Sequence, residues 1–256
     1  MRSKKRAIKG HVLLDDKTAN RLRRIRWRRL AMASAVVSAL VSLFLVYHSP
    51  LLRVNNIEVL GAATVDPAEV EALAAFDGYS MFRLGDDGAR ARIDNLPMVK
   101  SVNIERLWPD TVRIVVEERI PWGVWQVGKD RYVIDTGGVV LPANVKAPKG
   151  APTIVDLGNP VRLLPGDLVD QDTVTFSQSL IKSVPRRFGS KVTALQYSPE
   201  RGLTVTTDAR YHVVVGDSQN MDYKLAVWQA IEERLGREAM AGHVLDLRFG
   251  ERPSFH

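Results

Sequence analysis

The sequence predicts an α+β protein: a single transmembrane helix, a strand–helix–helix–strand–strand unit, and a C-terminal mixed α/β domain with an antiparallel sheet. Three observations predict it. Leu30–Val46 is a run of seventeen residues without a charge. The residues from Val54 to Glu118 alternate between strand-period and helix-period segments. Several further strand-like runs and two amphipathic helices follow before the chain ends at His256.

The apolar run with Tyr47 and His48 makes about nineteen residues, which at ~1.5 Å per residue span roughly 28 Å, close to the ~30 Å hydrocarbon core. Only a helix satisfies its own backbone there. A transmembrane helix is therefore expected over residues 30–48, with Leu30, Leu40, Phe44 and Val46 facing lipid. Trp27 and Tyr47 stand at headgroup level. Ala35, Ser38, Ala39 and Ser42 share one helical side, which allows close packing on another helix without requiring it.

Charge sets the orientation. Residues 1–29 hold twelve Lys/Arg against Asp15 and Asp16, about +10. The rest of the chain holds 24 Lys/Arg and 27 Asp/Glu, about −3. The positive-inside rule keeps this end cytoplasmic and the C-terminal region periplasmic. The pI near 9.7 comes from this arm. Anionic lipid is its expected partner, and nucleic acid is not. Residues 1–29 read as a basic cytoplasmic tail, disordered. A cleaved signal peptide is the competing reading. The stretch before the apolar run is long for one, and His48-Ser-Pro-Leu-Leu-Arg53 has no small-x-small cleavage site.

Residues 53–120 form the next expected unit. Val54–Leu60 reads as a strand closed by Gly61. Asp66-Pro67-Ala-Glu69 opens a helix that ends near Asp77-Gly78. Asp86 and Asp87 open a second helix. Val99–Arg106 and Thr111–Glu118 are strands around a Trp108-Pro-Asp110 turn. Residues 121–256 form the last unit. It begins with two short strands around Asp135-Thr-Gly-Gly138, then a loop from Pro142 to Pro152. A helix capped by Asp170 or Asp172 ends near Pro185. Val192–Tyr197, Leu203–Thr207 and Tyr211–Val215 read as successive antiparallel strands. Ser218–Leu235 is a helix with Met221, Leu225, Trp228, Ile231 and Leu235 inward. His243–Phe249 alternates, with Leu245, Leu247 and Phe249 on one face and Asp246 and Arg248 on the other.

No catalytic constellation appears, and neither an enzyme nor a cofactor is expected. The absence of cysteine excludes disulfides, cysteine metal sites and thiol catalysis. Gly123 to Lys129 has P-loop spacing, but Asp130 stands where Ser or Thr must hold magnesium, and a strand follows instead of a helix. His11, His48, His212, His243 and His256 lack metal spacing. No Ser sits in a Gly-x-Ser-x-Gly elbow.

Several stretches resemble the FtsQ/DivIB family of bacterial cell division proteins, single-pass membrane proteins with a POTRA domain. They are Val54-Asn-Asn-Ile-Glu-Val-Leu-Gly61, Leu96-Pro-Met-Val-Lys100, Val102–Val112 and Val115-Val-Glu-Glu-Arg-Ile-Pro121. The Asp135-Thr-Gly-Gly138 hairpin and the closing Val244-Leu-Asp-Leu-Arg-Phe249 add to them. The resemblance covers roughly residues 25–256. It implies a division scaffold at the septum whose exposed strand edges hold FtsB/FtsL-like partners, with FtsK/FtsW-like membrane proteins as further candidates. It places the partner-binding residues at Arg248, Phe249 and Gly250 and on the helix around Tyr223 and Trp228. Arg201 is a second basic contact. Val99 is the candidate on the POTRA recruitment surface, near Leu96–Ser101. Arg248 is the arm for a partner carboxylate, while Pro253 removes a strand donor. The alternative is a POTRA-bearing transport or secretion component, a class that usually carries tandem repeats or a barrel.

Overall fold

The computed structural model describes residues 16–158, 161–249 and 253–256. The described chain forms two compact units.

The first unit holds the N-terminal helix with the segments Asp77–Leu84 and Leu107–Thr111. Helix α1 (Asp16–Tyr47) begins fourteen residues before Leu30. The tail is thus helical from Asp16 and not disordered there; residues 1–15 lie outside the described residues. The reason is composition. No Gly or Pro interrupts Asp16–Tyr47, and a helix nucleated in the apolar run extends readily through Arg, Leu and Ala. Arg26–Tyr47 is long and apolar enough to cross a membrane. Trp27, Leu30, Leu40, Phe44 and Val46 are all exposed, as lipid-facing residues must be.

Ser49 caps a short 3-10 turn, Pro50–Leu52. Beyond it the backbone pairs with the Asp77–Leu84 segment. Val54 donates to the Tyr79 carbonyl at 2.9 Å and Met81 to that of Leu52 at 2.9 Å. The Asp110 carbonyl accepts from Asn55 at 2.9 Å and Asn56 at 3.3 Å. The expected strand from Val54 is a strand only from Asn56, and Val54 pairs instead with the Asp77–Leu84 segment. The Tyr47 ring stacks on Phe82 at 5.4 Å, and Phe82 meets Trp108 at 5.0 Å. Arg83 Nε donates to the Tyr47 hydroxyl at 2.6 Å.

The second unit carries two sheets. In the first, strands β1 (Asn56–Leu60), β2 (Val99–Leu107) and β3 (Thr111–Glu118) lie in the order β1-β3-β2. Helices α2 (Pro67–Ala74) and α3 (Asp86–Asp94) complete a βααββ unit. Asp66 caps α2 by accepting from the Ala68 N–H, with Pro67 at the first position. The helix stops at Ala74, short of Asp77, because Ala75 turns left-handed at φ 51°. Val112, Ile114 and Val116 point inward from β3, with Val70, Ala89 and Ile93 buried on the helices. Gly61 adopts φ +83°, and a Cβ there would lie 2.1 Å from the Val116 carbonyl oxygen. Only glycine permits this close approach.

Glu118 holds the loop between β1 and α2. Its Oε1 accepts the backbone N–H groups of Ala63 at 2.8 Å, Thr64 at 2.7 Å and Val65 at 2.8 Å. Burial pushes the carboxyl pKa up, but these donors outweigh it and the net value lies below the ordinary range. A lowered carboxylate stabilises fully above its unfolded pKa, and that stability is lost as pH falls through the folded value. Glu118→Ala orphans three donors and is expected to lower stability by about 1.5–3 kcal/mol near neutral pH. Urea unfolding of the detergent-solubilised chain checks this, and the deficit should shrink in acid.

The larger sheet has eight strands in the order β11-β10-β9-β8-β7-β6-β4-β5. These are β4 (Pro121–Val127), β5 (Asp130–Asp135), β6 (Thr153–Asp156), β7 (Val192–Ser198), β8 (Gly202–Thr207), β9 (His212–Gly216), β10 (Val244–Asp246) and β11 (Ser254–Phe255). The expected antiparallel run β7-β8-β9 is present. The sheet as a whole is mixed, because β4/β6, β6/β7 and β9/β10 pair in parallel. The P-loop-like spacing falls in the β4–β5 hairpin. Asp135 Oδ1 accepts from Gly137 at 2.8 Å and Val139 at 2.9 Å, which shapes the turn. Its Oδ2 receives Arg119 Nη1 at 2.9 Å, tying the end of the βααββ unit to the second sheet.

Helices α4 (Gln171–Phe188) and α5 (Met221–Leu235) share one core with this sheet. Asp170, not Asp172, caps α4 by accepting from Thr173 at 2.7 Å. The helix does not end at Pro185 but runs to Phe188. Phe188 is buried and stacks on Trp228 at 4.7 Å, so tertiary packing carries the last turn past the proline. Gly189 then closes it with a left-handed turn. On α5, Leu225 and Trp228 are buried as expected, whereas Leu235 is exposed at the last turn.

Candidate partner-binding edge of the C-terminal sheet

The edge is built by two short strands. β10 runs parallel to β9, with Leu245 opposite Val213. β11 returns antiparallel along β10, with Leu245 opposite Phe255. Val244 and His256 exchange both backbone bonds, at 2.7 and 3.2 Å. In an antiparallel pair, hydrogen-bonded residues alternate with residues whose groups face away. The Phe255 N–H and C=O therefore face outward. The next outward position among the described residues is Pro253, which has no N–H to offer.

Arg248 lies two residues beyond the end of β10. The strand expected over His243–Phe249 stops at Asp246, because the Asp246 carboxylate turns the chain by accepting the Arg248 backbone N–H at 3.0 Å. The same carboxylate takes Arg248 Nε at 3.1 Å and Nη2 at 2.7 Å. Burial pushes the Asp246 pKa up, but Arg248 outweighs it and holds the carboxyl below its ordinary range. The ion pair raises the Arg248 pKa in turn. The arginine stem crosses Gly216, where an added Cβ would lie 2.9 Å from Arg248 Cγ. Nη1 reaches the Glu200 carbonyl at a long 3.4 Å. The guanidinium lies 5.1 Å from the centre of the Phe249 ring. That ring is 63% exposed, so Phe249 is not the core residue that strand alternation implies.

The structure thus brings Arg248 and Phe249 together, beside the turn that holds Glu200 and the exposed Arg201. Tyr223 is exposed on α5 and shares no hydrogen bond or ring contact with them among the described residues. Gly250 lies outside the described residues. Two expected contacts are corrected. Trp228 is 0% exposed, and its Nε1 donates to the Tyr211 hydroxyl at 2.9 Å, so it is core. Val99 is 1% exposed and faces the βααββ core. Its neighbours Lys100 and Ser101 face out, both bound to Glu117, at 2.6 and 2.9 Å. Lys100 first and Ser101 second hold the Glu117 carboxyl below its ordinary range.

Sequence reasoning missed Asp246 as the partner of Arg248. The signal was present: residues two apart on a strand share a face. His212 and His243 meet only through backbone, His212 N–H to the His243 carbonyl at 3.0 Å. Their rings go elsewhere, to Thr206 and to Phe255.

An N-terminal apolar helix, a βααββ unit and a mixed sheet with an open edge define a POTRA-bearing protein consistent with membrane anchoring. Comparisons agree: the FtsQ-type POTRA domain matches residues 52–119, and the FtsQ/DivIB C-terminal domain matches residues 123–248. The chain belongs to the FtsQ/DivIB family of cell division proteins, which is not a known enzyme family. The cell division protein FtsQ of Chloroflexus aurantiacus is 29% identical over 212 residues, covering 79% of this chain and 77% of the relative. That of Chloroflexus aggregans is 28% identical over 201 residues, 78% of this chain and 73% of the relative. FtsQ of Corynebacterium glutamicum is 36% identical over 112 residues, 43% of this chain and 50% of the relative.

Proposed function

We propose that this protein is a septal scaffold that holds FtsB/FtsL-like division proteins on the outer side of the cytoplasmic membrane. The observation that carries the reading is the β11 edge, where the Phe255 backbone faces outward; the exposed Phe249 ring lies with Arg248 beside the Glu200 turn. A partner strand pairs with that backbone, and Phe249 offers the partner a separate apolar contact. Arg248 Nη1, which among the described residues makes a long contact to a carbonyl, is the donor for a partner carboxylate. The basic residues before Leu30 support a cytoplasmic N-terminus. Tethering to a plane then raises the effective concentration of the edge for other membrane-bound partners. A fluorescent fusion to the full chain tests the reading. A band at mid-cell is the expected result; uniform envelope signal refutes it and favours a transport component.

A further inference from the structure

We propose that Leu51, Phe82 and Trp108 form a foot that rests in the headgroup layer of an anionic phospholipid bilayer, next to the point where α1 leaves it. The proposal depends on α1 crossing the membrane.

The three side chains are 75%, 43% and 53% exposed, although each is large and apolar. They sit within the first unit, on three separate stretches of chain. Trp108 is two ring-to-ring steps, 5.0 and 5.4 Å, from Tyr47, the last residue of the membrane-length helix. Tyr47 therefore fixes the level at which the other rings stand. Val46, Pro50, Leu51, Leu52 and Pro109, with the polar Ser49, Asn55 and Asp110 among them, line an open, mainly apolar groove of about 660 Å³ at the same helix end. An apolar groove beside a helix exit opens onto lipid before it opens onto water.

The polar atoms present suit that layer. Arg83 lies 5.3 Å from the Tyr47 ring centre and donates to its hydroxyl, so its guanidinium is at ring level, where lipid phosphates are. Arg53 is exposed just after the 3-10 turn. Aromatic rings with basic neighbours are the composition that the membrane interface favours. A water-facing surface gains nothing from a clustered apolar patch. The occupant that the continuity with α1 selects is the bilayer itself.

The chain has no cysteine, which makes the test clean. Single variants Leu51→Cys, Trp108→Cys, Leu40→Cys and Glu200→Cys of the full chain are labelled with an environment-sensitive fluorophore. They are reconstituted into phosphatidylethanolamine–phosphatidylglycerol vesicles containing brominated lipid. The expected result is blue-shifted, quenched emission at Leu51 and Trp108, with the Glu200 label unchanged. Quenching at Leu40 but no more at Leu51 and Trp108 than at Glu200 overturns the foot and leaves the anchor standing. An unquenched Leu40 label overturns the anchor and the foot together.

Discussion

Arg248→Glu is expected to abolish capture of an FtsB-like partner and to loosen the edge that would capture it. Asp246 is nine-tenths covered at its side chain and relies on Arg248 for two side-chain donors. The substitution sets a second carboxylate beside it, and breaking the pair costs about 2–3 kcal/mol. Loss of capture alone does not separate a contact from a local collapse. Phe249→Ala makes the separation, because the ring is exposed and the Asp246–Arg248 pair survives its removal. Stability should then stay within about 0.5 kcal/mol of the parent, while co-purification of the partner falls. Full capture by Phe249→Ala would move the binding site elsewhere.

Trp228→Ala carries the largest expected change in stability, a loss of about 3–5 kcal/mol. The indole is stacked on Phe188 and meets Tyr211 edge-on at 6.2 Å. Burial first, and Glu232 as well, push the Tyr211 pKa up to about 12, so its hydroxyl stays protonated. It donates to Glu232 Oε2 at 3.1 Å while accepting from Trp228. Truncation opens a cavity and strips an acceptor of its donor in one step. Tyr223→Ala, on the same helix, is the matched control and should leave the urea midpoint nearly unchanged. Equal midpoints for the two variants would refute the account of α5.

These two tryptophan-helix positions show how far the sequence could be read. Helical spacing alone placed Trp228 inward, and the structure agrees; the outward role came from resemblance to a family surface. Local signals were legible where the physics is local. The cap at Asp66-Pro67 and the alternation of Thr111–Glu118 are complete within a few residues. Non-local pairing was not legible. Strand β6 has four residues and owes its place between β4 and β7 to parallel partners distant in the chain. Pro185 reads as a stop, yet Phe188 needed the core more than the helix needed the missing N–H. The site was legible in part: alternation put Asp246 and Arg248 on one face, but the backbone turn that completes their pair depends on where the strand ends.

An open strand edge is indiscriminate, since any backbone can extend it, including the same strand on another copy. Copies held in one membrane plane meet often, and an edge offering a row of donors would let them polymerise. Pro253 leaves a gap in that row after Phe255. On the proposed reading, a partner paired at Phe255 gains no backbone donor from Pro253, and side-chain contacts add to its hold. On that reading the proline narrows which strands the edge accepts.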